Sequence, residues 1–239
     1  MADKAQALEF LQSVHQELDA ALPSPALMQA QISDLLKLRR ADARFRHLCS
    51  REHAFTRGIV LPKISALLTS AFGLPQDQAR QALLAEGWKN YPQISSNTPA
   101  RTVRHPFDKA LIPDPALVYR KWAKTTSRLP LTQSCPDFAL RPPFPHKVVF
   151  EAKYYTSGSR LTAERELVTN LYQAFFYRAL PAVPENSFGR TWDYDYACLF
   201  AYDASPQGTF KAAWEALDPG VRKGFWEGAN VYVMVLRGS

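Results

Sequence analysis

Val148-Val149-Phe150-Glu151-Ala152-Lys153 is the stretch that decides how this chain is read. Three apolar residues of strand-forming type run into an acid and a base two positions apart, and the extended pattern spans Lys147 to Tyr155. Residues at i and i+2 of a strand share a face, so Glu151 and Lys153 point the same way while Ala152 points opposite. Charges on an otherwise apolar strand need a partner or a metal, because burying either one alone costs several kcal/mol.

Toward the N-terminus, Pro136-Asp137 opens a short strand candidate, Phe138 to Leu140. The proline-rich link Arg141 to Pro145 suits a hairpin or bulged turn, which predicts Asp137 beside Glu151. Toward the C-terminus, a helix is expected over Leu161 to Leu180. Tyr194 to Tyr202 is an apolar run of the kind buried on both faces of a sheet. A helix over Gly208 to Leu217 and a last strand, Val231 to Leu236, follow. The first ninety residues read as helices. Leu8, Leu11, Val14, Leu18 and Leu22 recur at steps of three and four, and Leu27, Ile32, Leu35 and Leu36 follow Ser24-Pro25 and run toward Arg39-Arg40. Ile59 to Phe72 is apolar at helical spacing and closes at Gly73-Leu74-Pro75, and a short helix is expected from Gln76 to Glu86. The expected fold class is α/β (α+β): a central mixed β-sheet flanked by helices. Residues 1–90 form a mostly helical region that lends helices to the core, residues 91–239 form the core itself, and 91–130 is a basic, Pro-rich loop region.

Composition narrows the function. The chain has 239 residues, 46% of them hydrophobic. No apolar run approaches the roughly 18 residues that cross a bilayer, so no membrane association is expected. Met1 to Glu9 mixes acids with bases and lacks a secretory pattern, so a cytoplasmic location is expected. Cys49, Cys135 and Cys198 are widely spaced and read as reduced thiols packed as small hydrophobes. Residues 101–160 hold 11 Lys/Arg and 4 Asp/Glu, and the difference, 7, equals the whole net charge of +7. Arg101, Arg104, Arg120, Lys121, Lys124 and Arg128, interleaved with Phe107, Tyr119 and Trp122, suit a surface facing the phosphates of DNA. A solvated loop with aromatic anchors tucked inward is the plainer reading of the same residues. The histidines show no zinc spacing, and no Walker loop, Gly-x-Ser-x-Gly or Gly-x-Gly-x-x-Gly occurs, so no nucleotide cofactor is expected.

Two carboxylates and a lysine at one sheet edge have a natural chemical use. Mg²⁺ prefers oxygen ligands and is usually held by one or two carboxylates with waters and substrate phosphate, and Mn²⁺ can substitute for it. Asp137 and Glu151 are the expected ligands, with Lys153 assisting the attack of water.

Pro136-Asp137, a gap of thirteen residues and then Glu151-Ala152-Lys153 resemble the signature of the PD-(D/E)XK nucleases, the superfamily that includes most restriction endonucleases and the RecB-type nucleases. Pro113-Asp114 is a decoy, since Glu151 lies too far on and no apolar strand surrounds Asp114. Gln173 and Tyr177, one helical turn apart, are similar to the Gln-x-x-x-Tyr element of RecB-type members, although an ordinary amphipathic helix explains them too. The resemblance implies a restriction-endonuclease-like core that cuts phosphodiester bonds with Mg²⁺. It also implies a further acid from an early core helix, for which Glu52 is the first candidate and Glu86 the second. The iron–sulfur branch of the RecB group uses four cysteines, and this chain has three. The expected function is therefore a Mg²⁺-dependent endodeoxyribonuclease of restriction or defence type, a homodimer if it cuts palindromic sites on both strands. Two alternatives stand beside it: a RecB-type exonuclease or end-processing enzyme, and a non-catalytic nucleic-acid-binding subunit that keeps the fold.

Overall fold

The structure, a computed structural model, describes residues 4–85, 92–94, 103–104, 111–112, 136–179, 182–184 and 194–238. Helix α1 (Lys4–Ala21) buries Ala7, Phe10, Leu11, Val14 and Leu18, the stripe that three-and-four spacing dictates. Helix α2 (Pro25–Ala41) begins with a proline in its first turn, where no N–H is needed, and ends on Arg39 and Arg40 at the negative end of the helix dipole. Its buried residues are Met28 and Ile32, and Leu27 is 52% exposed, so this helix buries a narrower face than its leucines suggest.

Helix α3 (Arg51–Phe55) is capped by Ser50, whose hydroxyl accepts from His53 N at 3.0 Å. It runs through one π turn, Thr56–Val60, into α4 (Leu61–Ser70). Pro62 explains that turn. It has no N–H to offer the preceding turn, and the chain widens locally, with Leu61 N donating to Thr56 O. Gly58 sits on the same turn, where a Cβ would lie 2.7 Å from Leu35 Cδ1, so the missing side chain lets α2 pack close.

Helix α5 (Gln76–Ala82) is shorter than the expected Gln76 to Glu86, and Glu86 lies outside the described residues. Leu83–Ala85 instead forms strand β1, where pairing with Phe138–Leu140 and complete burial override the helical preference of Leu and Ala. Two short antiparallel pairs lie apart from the main sheet: β2 (Pro92–Ile94) with β7 (Ala182–Pro184), and β3 (Val103–Arg104) with β4 (Leu111–Ile112).

The main sheet has five strands in the order β1, β5 (Phe138–Leu140), β6 (Val148–Tyr155), β8 (Tyr196–Asp203), β9 (Val231–Leu236). The first two pairings are antiparallel and the last two parallel, so the sheet is mixed and the fold is α+β with more helix than strand. Helix α6 (Arg160–Ala179) links β6 to β8, and α7 (Thr209–Ala216) and α8 (Pro219–Ala229) link β8 to β9. Helix α8 is hidden in the sequence by glycines at 220, 224 and 228; the Asp218 carboxylate starts it by accepting from Gly220 N and Val221 N.

Strand alternation sorts the core into two layers. Phe150, Ala152, Cys198, Phe200 and Met234 pack against the N-terminal helices α1 to α5. Val149, Tyr155, Leu199, Ala201 and Val233 pack against α6, α7 and α8. Among the described cysteines Cys198 is buried and Cys49 exposed, and Cys135 lies outside the described residues. Among the described residues no helix is long and apolar enough to cross a membrane.

His146 is 4% exposed and ringed by Phe10, Phe144 and Tyr196. Burial depresses its pKa below the ordinary 6.5, against a weaker opposing pull from Asp195. The unfolded chain therefore binds a proton that the folded chain refuses, so this contribution to stability is complete above pH 6.5 and shrinks as the pH falls below it. Thermal melts at about pH 7.5 and about pH 5.5 check this: His146→Phe is expected to lose less Tm on acidification than the wild type, and an equal loss would rule His146 out as the cause.

Candidate active site

The candidate site lies where β6 outruns its neighbour. The last β5–β6 pair is Phe138 with Phe150, and from Glu151 onward β6 keeps only β8 as a partner in the sheet. At that step Asp137 N donates to Phe150 O at 3.0 Å, and Ala152 N donates to Asp137 Oδ2 at 2.7 Å. The Asp137 side chain thus accepts the bond that the next backbone carbonyl of an antiparallel partner would take. This holds its carboxylate against β6 at the level of Glu151, the hairpin arrangement expected from the sequence.

Glu151 is 3% exposed. Its register partner is Leu199 and that of Lys153 is Ala201, both in the layer covered by α6, so the acid and the base share that face. Lys153 Nζ lies 2.6 Å from Glu151 Oε1 and 2.8 Å from Glu52 Oε1. Glu52 comes from the first turn of α3, which packs on β6 through Phe55 against Tyr154. One ammonium group therefore bridges an acid of the sheet and an acid of an early helix. Sequence spacing alone could not have shown this contact, because 101 residues separate Glu52 from Lys153.

The electrostatics follow from burial and crowding. The Asp137 carboxyl is held well above the usual carboxylate range by burial first and by the Glu151 charge second, with Lys153 and the Ala152 N–H pulling the other way. Burial alone would lower Lys153, but Glu151, Glu52 and Asp137 outweigh it and hold its pKa well above 10.5. Lys153 is accordingly an ammonium ion at neutral pH. It can donate hydrogen bonds and offset negative charge, and it is a poor base.

Asp137 and Glu151 suit a hard divalent cation. Their donors are carboxylate oxygens, and the crowding that raises the Asp137 carboxyl is what a bound cation would relieve. Among the described residues no group of three or more His, Cys, Asp or Glu is clustered for a metal. Two carboxylates are nevertheless the usual protein share of a Mg²⁺ shell.

Next to this group opens a cleft of about 490 Å³. Its walls are Ser50, Arg51 and Glu52 from α3, Lys153 to Thr156 at the end of β6, and Glu166 and Asn170 from α6. The Glu166 carboxyl is raised by burial, against a lowering by Lys153 and with a further push from Glu52. Gln173 and Tyr177 lie one and two turns further along the same helix, where Gln173 Nε2 donates to Tyr177 Oη at 2.9 Å and the Tyr177 side chain is buried. Glu166 and Asn170 carry no motif in the sequence. The signal available in sequence was their spacing, since 166, 170, 173 and 177 fall on one helical face.

The basic positions expected to meet DNA stand apart from this description. Arg101, Arg120, Lys121, Lys124 and Arg128 lie outside the described residues, and Arg104 is placed by its backbone at the end of β3. Comparison of the chain with protein-family models, with curated proteins and with solved structures finds no match.

Proposed function

We propose that this chain is a Mg²⁺-dependent endodeoxyribonuclease of the PD-(D/E)XK type. The observation that carries the reading is the clamp at the end of β5: Asp137 fixed on Ala152 N beside a buried Glu151, with Lys153 bridging Glu151 and Glu52. The mixed sheet with helices on both faces supports it too, since that is the architecture the resemblance implies.

In this reading Asp137 and Glu151 hold the cation through carboxylate oxygens. The bond from Ala152 N pins Asp137 Oδ2 and so orients the whole carboxylate. When bound, the cation supplies an acidified water and offsets negative charge building on the phosphoryl group. Lys153 presents a permanent ammonium to the same place, where it orients the attacking water and donates to a phosphate oxygen. Glu52 is a positioning residue that keeps Nζ aimed at the reacting centre. Water adds to phosphorus and its proton passes to solvent, while the bond to the leaving oxygen of the strand breaks and that oxygen takes up a proton from solvent. The basic stretch 101–128 would track the strand, Gln173 and Tyr177 would support the site from α6, and a twofold homodimer would serve cutting of both strands.

Supercoiled circular DNA and linear DNA, each incubated with Mg²⁺ or with EDTA, test this reading. Nicked or linearised circles with Mg²⁺ alone are the expected result. Attack on linear ends with circles left intact would make the chain an exonuclease of the RecB type. Binding of DNA without cleavage in Mg²⁺ or Mn²⁺ would make it a binding subunit.

A further inference from the structure

The cleft beyond Lys153 contains a polar group that the catalytic clamp leaves unused. Asn170 is 5% exposed and lines the cleft, and its side-chain amide makes no hydrogen bond among the described residues. A side-chain amide that lines a cleft and has no protein partner is normally matched by water or by a ligand. The contrast along α6 is informative. Gln173, one turn on, has its amide donating to Tyr177, whereas Asn170 lines the cleft together with Arg51 and Lys153.

We propose that Asn170 is a substrate-binding residue, which donates a hydrogen bond from its side-chain amide to a phosphate oxygen of the nucleic-acid strand, one nucleotide unit away from the bond being cut. The inference rests on the nuclease reading above and adds to it the residue that holds the neighbouring phosphate. The cleft wall carries two bases, Arg51 and Lys153, and two acids, Glu52 and Glu166. Lys153 is already paired with Glu52 and Glu151, so Arg51 is the cation left on that wall for a phosphate, and Asn170 supplies a neutral donor that needs no counter-ion of its own. A cleft of this size accommodates about one nucleotide unit. Glu166, one turn before Asn170 on the same wall, carries the charge that opposes a phosphate, so the two residues act in opposite senses on the same ligand.

Steady-state cleavage of a duplex DNA substrate by the full chain in Mg²⁺ tests this. Asn170→Ala is expected to raise KM about tenfold, the effect of one hydrogen bond to a charged group, with kcat within about twofold of wild type. Asn170→Asp keeps the shape, reverses the donor and adds a charge. It is expected to raise KM about a hundredfold at low salt, with the loss growing smaller as salt is added. Glu166→Gln is expected to lower KM about threefold. Should Asn170→Ala not fold, Asn170→Asp decides alone. Wild-type KM in the Asn170 variants, with only the melting temperature lowered, would make Asn170 a packing residue and overturn the proposal while leaving the nuclease reading intact. A higher KM for Glu166→Gln would put a cation in the cleft and overturn the phosphate assignment. A wild-type chain that cuts no DNA in Mg²⁺ would overturn the nuclease reading, and this inference with it.

Discussion

Glu151→Gln is expected to lower Mg²⁺-dependent cleavage of DNA by about a thousandfold while the protein stays folded. The side chain keeps its size and its place on β6, but a neutral amide cannot offer the anionic oxygen that a hard cation selects. Asp137→Asn should show the same loss with an added signature. Its side-chain carbonyl still accepts the bond from Ala152 N, so the β5–β6 junction survives, and the charge crowded against Glu151 is gone. In the absence of divalent cation this variant is expected to melt about 2–4 °C above wild type, the shift that 1 kcal/mol produces in a chain of this size. Gel assays over a range of Mg²⁺ and melts in EDTA measure both. Cleavage within about tenfold of wild type in either variant would remove these carboxylates from the reaction.

The second large effect falls on stability. Lys153→Met removes the cation shared by Glu151 and Glu52 and leaves a carboxylate that is 3% exposed facing Asp137 across the strand junction. Removing one member of a buried ion pair costs about 3–5 kcal/mol, because the remaining charge keeps its desolvation penalty and loses the attraction of the ammonium group. The melting temperature in EDTA is expected to fall by about 10 °C. Added Mg²⁺ should recover part of that loss, since a cation held by Asp137 and Glu151 replaces some of the missing positive charge. Activity should stay low even with the metal, because in the proposed reaction Lys153 also donates to the reacting phosphate. A variant that melts within about a degree of wild type in EDTA would mean that the bridge contributes nothing to the fold.

How far this was legible in the sequence depends on whether the deciding interactions are local. Strand β6 and the shared face of Glu151 and Lys153 follow from a period of two over eight residues, and β5 is found at Phe138–Leu140, the span its apolar residues suggest. The hairpin between them is short enough to be inferred from Pro136-Asp137 and the proline-rich turn. Helix α6 also matches closely, because its boundaries follow the expected apolar spacing. Strand β1 carries the helical preference of Leu83-Leu84-Ala85 and becomes a strand only through pairing with Phe138–Leu140, more than fifty residues away. Glu52 was placed by resemblance, and its contact with Lys153 depends on how the π turn over Thr56–Val60 and the aromatic packing of Phe55 on Tyr154 and Tyr202 aim the start of α3. Asn170 had no local signal beyond its spacing, because a buried amide on an amphipathic helix takes its meaning from the cleft beside it.

The most direct measurement is the location of a bound cation. Crystals grown with Mn²⁺ and measured at the manganese absorption edge should show an anomalous peak between the carboxylates of Asp137 and Glu151, with oxygens of both at about 2.1 Å, and no such peak in Glu151→Gln. Manganese bound elsewhere with Asp137 and Glu151 untouched, or a peak that persists unchanged in Glu151→Gln, would contradict the assignment of this clamp as the metal site of a nuclease.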